Sequence, residues 1–190
     1  MAPSAAPHVL EATFRDPNQV AKIAKWDMDF RQIEDGPMQA HFKVRPGPLL
    51  SVVKFRFSRR LHQIGASPKG HLTFGIPTRS KLTDWNGTSI ETPPFLSFGS
   101  GHEFDCISDS GFGGYTVTLE TENAMQIGAK LGLVIPDKEF GTFLLPVLPS
   151  SQQVASFIAG IQAILAKPNV SAKEETGIIE DLLQIVELGG

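Results

Sequence analysis

The feature of this chain that most constrains its fold is the stretch Phe95–Leu119, in which apolar and polar side chains alternate twice. Phe104 and Cys106 alternate with acidic neighbours, and after a Ser-Asp-Ser-Gly turn the side chains from Tyr115 to Leu119 alternate again. A period of two is typical of a strand with one buried face. The stretch therefore predicts a hairpin or meander whose apolar face must be covered by another part of the chain.

Alternation of the same kind occurs in earlier segments of the chain. These segments cover residues 26–31, 38–44, 53–58 and 72–76. The pair Asn86-Gly87 favours a type I′ turn, because both central residues of that turn need a positive φ. The regular spacing predicts about seven or eight short strands, which is typical of a β-barrel or a β-sandwich.

The periodicity changes from two to three or four after residue 120, which predicts helices. The first helix is expected at residues 122–131, with Gly132 as its C-terminal cap. Two amphipathic helices follow within residues 150–190, and Ser171 with Glu174 forms a capping box before the second one. The short loop between these two helices favours an antiparallel pair.

The apolar stripes of this helical pair allow two interpretations. In the first, both stripes pack against the domain formed by the predicted strands, which we call the β-domain, as apolar helix faces usually do. In the second, one stripe pairs with its copy in a second subunit. The second interpretation gives six candidates for a dimer interface: Phe157, Ile161, Ile164, Ile178, Leu182 and Ile185.

The length of the chain and its single cysteine limit the kinds of protein that it can be. A chain of 190 residues, 41% of them hydrophobic, can bury one good core, so we expect one domain with extensions. Residues 1–25 are interpreted as a tail with a short helix from Asp16, and they lack the features of a secretory signal. No segment is apolar enough to span a membrane, and Cys106 has no partner for an internal disulfide. We therefore expect a cytoplasmic protein.

The net charge of −3 conceals an uneven distribution along the chain. Residues 36–83 contain nine Lys and Arg and no Asp or Glu, whereas residues 84–190 contain fourteen acids and four lysines. Two solvated surfaces of opposite charge would explain this pattern. Alternatively, the basic part attracts an anionic ligand or lies near nucleic acid held by another part of the protein. No segment interleaves basic and aromatic residues as a single-strand binder does, so residues 1–190 should bind DNA poorly.

Signatures of catalysis are weak in this sequence. The strand pattern directs His41 and His71 outward, and only His102 shares a face with Phe104. One or two inward imidazoles are too few for the three or four ligands of a metal site. Neither a nucleophile motif nor a phosphate-binding loop is present. We therefore predict no catalytic residue, no metal, no cofactor and no enzymatic activity.

Aromatic side chains dominate the faces that are predicted to line the interior of the β-domain. Most of them should simply pack, whereas a subset would form the apolar wall of a ligand pocket, with an imidazole as its polar anchor. The candidates for this ligand site are Phe55, Phe57, Phe74, Trp85, Phe98, His102, Phe104 and Tyr115.

Five segments carry a family resemblance: WDMDFRQIEDGPMQA, VVKFRFSRRLHQIGASPKGHLTFGIP, WNGT, FLSFGSGHEFDCIS and GFGGYTVTL. They resemble the N-terminal effector-binding and dimerisation domain of AraC-type transcription regulators, from about Trp26 to Leu131. The resemblance implies a cupin-like β-barrel sensor domain at residues 26–149 and a two-helix dimerisation segment at residues 150–190. Such regulators usually continue into two helix-turn-helix units, which residues 1–190 do not contain, so DNA would be contacted only through an attached unit.

These observations lead to one hypothesis and two alternatives. The hypothesis is a mostly β, cupin-like sensor domain with a C-terminal helical hairpin that binds a small organic effector, forms a homodimer and relays the ligand state to a DNA-binding unit. The first alternative is a metal-dependent cupin-type enzyme, such as an isomerase or a dioxygenase. The second is a pure dimerisation module whose β-domain is solidly packed.

Overall fold

The computed structural model describes residues 9–19, 26–90, 95–133, 143–145 and 152–189. In this part of the chain, twelve strands form two antiparallel sheets and are accompanied by three helices, two of them at the C-terminal end. A mostly β fold with a C-terminal helical pair is therefore confirmed. The described strands form two separate sheets and no closed barrel, and they exceed the predicted seven or eight.

The larger sheet has seven strands. They are β1 (Leu10–Phe14), β3 (Ala40–Arg45), β4 (Leu50–Phe57), β6 (His71–Arg79), β9 (Phe95–Phe98), β11 (Gly113–Glu120) and β12 (Phe143–Leu145). Their order is β1-β3-β4-β11-β6-β9-β12, and neighbouring strands are antiparallel. The last strand of the stretch that most constrains the fold, β11, thus lies at the centre of this sheet.

The smaller sheet has five strands and faces the larger one. They are β2 (Asp27–Gln32), β5 (Leu61–Ala66), β7 (Leu82–Trp85), β8 (Thr88–Ser89) and β10 (Glu103–Ser108), in the order β2-β5-β10-β7-β8. The turn between β7 and β8 has φ values of 50° at Asn86 and 76° at Gly87. The positive φ values that a type I′ turn needs are therefore confirmed.

The predicted hairpin or meander within Phe95–Leu119 is not formed, because its strands belong to different sheets. β10 lies in the smaller sheet, whereas β9 and β11 lie in the larger one with β6 between them. The turn after β10 includes Gly111, whose φ of 78° is accessible to glycine without steric cost. It carries the chain from one sheet to the other. Alternation predicts which residues form strands and not which strands pair.

Strands β1, β5 and β12 were not predicted. β1 lies in the segment that was interpreted as a tail, and it pairs with β3 at the edge of the larger sheet. β5 escapes detection because the position that faces the interior between Leu61 and Gly65 is the polar Gln63. The predicted short helix that follows Asp16 lies mostly outside the described residues.

The three helices are α1 (Thr121–Leu131), α2 (Gln152–Ala166) and α3 (Ala172–Gly189). α1 ends as predicted, with Gly132 in the left-handed conformation at φ 76°. The predicted capping box of α3 is formed: Ser171 N–H donates to Glu174 Oε2 at 2.8 Å, and Glu174 N–H donates to Ser171 Oγ at 3.3 Å. No helix among the described residues combines the length and the apolar character that crossing a bilayer requires.

The larger sheet has an apolar core on each of its faces. β4 illustrates the division: Phe55 and Phe57 point towards the smaller sheet, whereas Leu50 and Val52 point towards the helices. We call the first core the inter-sheet core and the second the helix core. Successive side chains of a strand point to opposite faces. The two cores are therefore separated by a single sheet.

Two buried charged residues connect the helices to the turn between β3 and β4. Glu175 of α3 is 1% exposed and accepts a hydrogen bond from Leu49 N–H at 2.8 Å. Burial raises the pKa of its carboxyl group, while the N–H groups of Leu49 and Leu50 and the charge of Arg45 act in the opposite direction. Arg45, at the end of β3, donates from Nη1 to the carbonyl oxygen of Lys167 at 2.8 Å. These contacts fix the turn against the helical pair.

Candidate functional site

The inter-sheet core contains a cavity of about 110 Å³. Its walls come from β2, β5, β7 and β10 of the smaller sheet and from β3, β4, β6, β9 and β11 of the larger one. An engineered cavity of about 150 Å³ in a protein core is large enough to bind benzene. The cavity therefore has room for a group of about one small ring.

A group of four aromatic residues, which we call the tryptophan cluster, lines part of the cavity. It consists of Trp26, Trp85, Phe98 and Phe104. The rings of Trp85 and Phe104 stack with their centroids 5.8 Å apart. Phe98 meets them in T-shaped contacts, at 5.3 Å from Trp85 and 5.0 Å from Phe104. Stacked and T-shaped pairs are the favourable arrangements of aromatic rings, so these four residues support one another's positions.

A second group, which we call the phenylalanine cluster, lines another part. It consists of Phe30, Phe42, Phe55, Phe57 and Phe112. Phe57 lies at its centre, with ring centroids 5.6 Å from Phe42 and 5.5 Å from Phe55. Phe30 comes from the smaller sheet and Phe42 from the larger one. The cluster thus joins the two sheets.

Few polar groups reach the cavity, and none of its lining residues that the structure describes is charged. Gln63 is 6% exposed, and its Nε2 donates a hydrogen bond to Ser108 Oγ at 3.2 Å. Trp85 is 3% exposed, and its indole Nε1 has no hydrogen-bond partner among the described residues. A buried N–H group without a partner is uncommon in proteins. This N–H group is therefore an unsatisfied donor within the inter-sheet core.

The structure brings five of the eight predicted ligand residues together and places three elsewhere. Phe55, Phe57, Trp85, Phe98 and Phe104 line the cavity. The other three do not line it.

Phe74 and Tyr115 lie on the other face of the larger sheet, in the helix core. They belong to β6 and β11, which are covered on both faces. The apolar side of such a strand therefore does not show which face meets the smaller sheet. The hydroxyl oxygen of Tyr115 accepts a hydrogen bond from Gln162 Nε2 of α2 at 3.0 Å. Both residues are therefore part of the contact between sheet and helices.

His102 is exposed and lies in the turn that precedes β10. Its N–H donates to the carbonyl oxygen of Gly99 at 3.2 Å, and its own carbonyl oxygen accepts from Ser67 N–H at 3.1 Å. The alternation that assigned it to the face of Phe104 was extended one residue beyond the strand, which begins at Glu103. His102 therefore provides no polar anchor in the cavity.

Several lining residues were missed. The main ones are Trp26, Met28, Phe30, Phe42, Gln63 and Leu96. Most of them were assigned to apolar strand faces, which was a sufficient signal for an interior position. Gln63 could not be found in this way, because a polar residue at an inward position breaks the alternation on which the prediction depends.

The six predicted interface residues lie inside a single chain. Phe157, Ile161, Ile164, Ile178, Leu182 and Ile185 are each at most 7% exposed and belong to the helix core. The ring of Phe157 packs against Phe95, which in turn packs against Phe74, with centroids 6.3 and 6.1 Å apart. A second subunit could reach these side chains only if the helices moved away from the sheet.

The described residues contain no group of three His, Cys, Asp or Glu side chains that could hold a metal ion. Cys106, which lines the cavity, is 4% exposed. Burial, followed by the nearby carboxylates of Asp105 and Asp84, raises the pKa of its thiol. The thiol therefore stays protonated, and a neutral thiol is a poor nucleophile and a poor metal ligand.

The basic part of the sequence forms an exposed surface on the larger sheet, beside the helices. A hollow of about 160 Å³ lies there, with Lys54, Arg56 and Arg79 among its lining residues. These three side chains form no ion pair with any part of the chain that the structure describes. The basic surface lies outside the apolar cavity, so the two are separate features.

Comparison of the sequence with models of known protein families finds no match, and comparison with curated proteins finds none either.

Proposed function

We propose that this domain senses a small organic molecule, which it binds in the cavity between the two sheets, and that it passes the ligand state to its C-terminal helices. The observation that carries this proposal is the cavity itself, which is lined by two aromatic clusters and lies within the inter-sheet core. Ligand sites in proteins are concave and mainly apolar, with a few polar groups. The solidly packed alternative has no such space. The resemblance to the sensor domains of AraC-type regulators supports the same function.

The relay is supported by the way in which the cavity and the helices share one sheet. β4 contributes Val53 and Phe55 to the cavity wall and Leu50 and Val52 to the helix core. A ligand that moves this strand therefore acts on both cores at once. The ligand shifts the equilibrium between two arrangements only to the extent that it binds one of them more tightly. In the proposed regulator, an attached helix-turn-helix unit would respond to that shift.

Homodimer formation through the C-terminal helices is part of the proposal, and the outward face of α2 supports it. Ala155, Ala159 and Ala163 recur every fourth residue on this exposed face. None of the fifteen residues of α2 is charged, whereas the outward face of α3 carries charged residues such as Asp181. Small side chains allow two helices to approach closely. We therefore place the contact on these alanines instead of on the six buried residues.

Thermal unfolding in the presence of a library of small organic compounds tests the sensor function. A ligand present at about a hundred times its Kd should stabilise the protein by about 2.7 kcal/mol. For a chain of this size, each kcal/mol raises Tm by roughly 2–4 °C, so a shift of about 5–11 °C is expected. If no compound in a broad library raises Tm, the sensor proposal is refuted.

Two variants on neighbouring residues of β4 locate the binding site. Val53→Phe places a phenyl group in the cavity, whereas Lys54→Phe places the same group on the exposed face of the sheet. We expect the ligand-induced rise in Tm to disappear in the first variant and to remain in the second. Equal rises in both would place the ligand outside the cavity.

Light scattering tests the pairing of two chains. Ala159→Glu puts a charge at the centre of the proposed contact and should convert a dimer to a monomer, while Gln184→Glu on the exposed face of α3 should not. A chain that is monomeric at all concentrations, with and without ligand, would contradict the pairing. A stoichiometric transition metal in the purified protein would favour the enzyme alternative instead.

A further inference from the structure

We propose that the larger sheet carries a second ligand site, which binds the phosphate group of a small phosphorylated molecule. The site is the hollow of about 160 Å³ described above, which we call the basic hollow. Its polar lining residues are His41, Lys54, Arg56, Thr78 and Arg79. None of them lines the apolar cavity, so this inference is independent of the proposed sensor function.

The pairing of the strands places two arginines on either side of a glycine. Gly113 of β11 is paired with Arg56 of β4 on one side and with Arg79 of β6 on the other. Residues that pair directly have their side chains on the same face of a sheet, and the two arginines are two strand spacings, roughly 10 Å, apart. Because Gly113 has no side chain, the space between them stays open.

An irregularity in β6 brings Arg79 to this face. Ile76 belongs to the helix core and Pro77 lines the apolar cavity, so regular alternation would direct Arg79 to the cavity side. The register between β6 and β11 shifts here and leaves Thr78 as an extra residue of β6. Both Thr78 and Arg79 therefore line the basic hollow. Bulges of this kind redirect side chains and are frequent beside functional sites.

The cations of the basic hollow lack counter-charges. Lys54, Arg56 and Arg79 are exposed, and none of them forms an ion pair with a residue that the structure describes. By contrast, Lys43 of β3 pairs with Glu11 at 3.6 Å. Positive charges that surround one hollow repel one another, and an anion bound between them removes this repulsion. The hollow therefore favours an anionic ligand.

A phosphate monoester matches the hollow in both charge and hydrogen bonding. Near neutral pH its phosphate group carries about two negative charges and three acceptor oxygens. The guanidinium groups of Arg56 and Arg79 can each bind two of these oxygens through parallel hydrogen bonds. Lys54 supplies a third positive charge, and Thr78 supplies a hydroxyl donor. A carboxylate, with one charge and two oxygens, would use only part of this set.

The surroundings of the hollow favour a small molecule over a nucleic acid. The carboxylate of Glu11, on the edge strand β1, lies 3.2 Å from His41 Nε2 and 3.6 Å from Lys43 Nζ. This negative charge would repel the neighbouring phosphates of a polymer. Nucleic-acid binding needs a row of cations along the phosphate backbone, whereas the three unpaired cations surround a single hollow.

Methyl phosphate and dimethyl phosphate form a matched pair of probes. At about pH 8 the first carries two negative charges, because the second pKa of a phosphate monoester is about 6, and the second probe carries one. Titration followed by NMR reports binding through the backbone amide signal of Gly114, which lines the hollow. We expect methyl phosphate and inorganic phosphate to shift this signal, and dimethyl phosphate and acetate to bind several-fold more weakly.

Four variants locate the site. Lys54→Gln and Arg56→Gln each remove one cation from the hollow and should weaken the binding of methyl phosphate by about three- to tenfold. The matched controls are Lys69→Gln, in the turn at the other end of β6 from Arg79, and Arg31→Gln, on β2 of the smaller sheet. They remove the same charges elsewhere and should change the affinity by less than about twofold at physiological salt. All four residues are exposed, so the variants should fold.

Each contrary result overturns a defined part of the inference. Equal losses in all four variants would show a general attraction of anions and no site. Binding of acetate or dimethyl phosphate as tight as that of methyl phosphate would make the monoester class wrong. If a DNA duplex displaces methyl phosphate at a lower concentration than inorganic phosphate does, the surface binds nucleic acid instead. If no anion shifts the signal of Gly114, the site does not exist, and the sensor function of the cavity is unaffected.

Discussion

Replacing Glu175 with alanine should destabilise the protein far more than the loss of a typical surface carboxylate. The Glu175 carboxylate is 1% exposed and accepts hydrogen bonds from the N–H groups of Leu49 and Leu50. In the variant these two donors lose their acceptor, and Arg45 loses the opposite charge with which it interacts. Each buried donor left without a partner costs about 1–3 kcal/mol. Because the cost of burying the carboxylate is removed at the same time, we expect a net loss of about 3 kcal/mol.

Urea denaturation followed by circular dichroism measures this loss, and a thermal scan should show Tm lower by about 6–12 °C. Glu187→Ala is the matched control, because Glu187 lies on the same helix and is exposed. The control should remain within about 0.5 kcal/mol of wild type. A loss for Glu175→Ala that equals that of the control would refute the buried contact between α3 and the β3–β4 turn.

Three further predictions concern glycine, cysteine and pH. Gly177→Ala should raise the free energy of unfolding, measured by urea denaturation, by about 0.5–1 kcal/mol, because a Cβ there meets no atom within 4 Å. Gly114→Ala should lower it, because its Cβ would lie 2.2 Å from the carbonyl oxygen of Ile76. Cys106 should react with a thiol reagent much more slowly than an exposed cysteine, because its thiol is buried and protonated; reaction of the native protein at the rate of an exposed thiol would contradict this. Hydrogen bonds hold the pKa of Glu174 at about 2, below its ordinary value of 4.5, so the stability that this group contributes is present above about pH 4.5 and is lost as the pH falls towards 2. In the variant Glu174→Gln, the free energy of unfolding should therefore fall less steeply than in wild type as the pH is lowered below 4.5.

The local structure of this protein was largely accessible from its sequence. Alternation located most of the strands, the pair Asn86-Gly87 gave the type I′ turn, and the capping box of α3 was formed by the expected Ser171 and Glu174. These features depend on residues close together in the chain, where side-chain period and backbone preference act directly. The sequence therefore predicted local conformation well.

The arrangement of the strands and part of the site were not accessible in the same way. Strands β6 and β11 are covered on both faces, so the apolar side of such a strand does not identify the core that it enters. Phe74 and Tyr115, which were predicted to line the interior between the strands, therefore lie in the helix core instead. His102 was misplaced because the strand begins one residue later. The unsatisfied N–H of Trp85 depends on its three-dimensional surroundings. No pattern of residue types reveals it.

The division of β4 between two cores has an evolutionary consequence. Its inward positions, Val53 and Phe55, shape the cavity, whereas Leu50 and Val52 hold the helical layer. In the proposed sensor, substitutions at Val53 and Phe55 would change which molecule fits, while Leu50 and Val52 would preserve the packing against the helices. New specificities would then arise by mutation at alternate residues of one strand, with the helical layer unchanged.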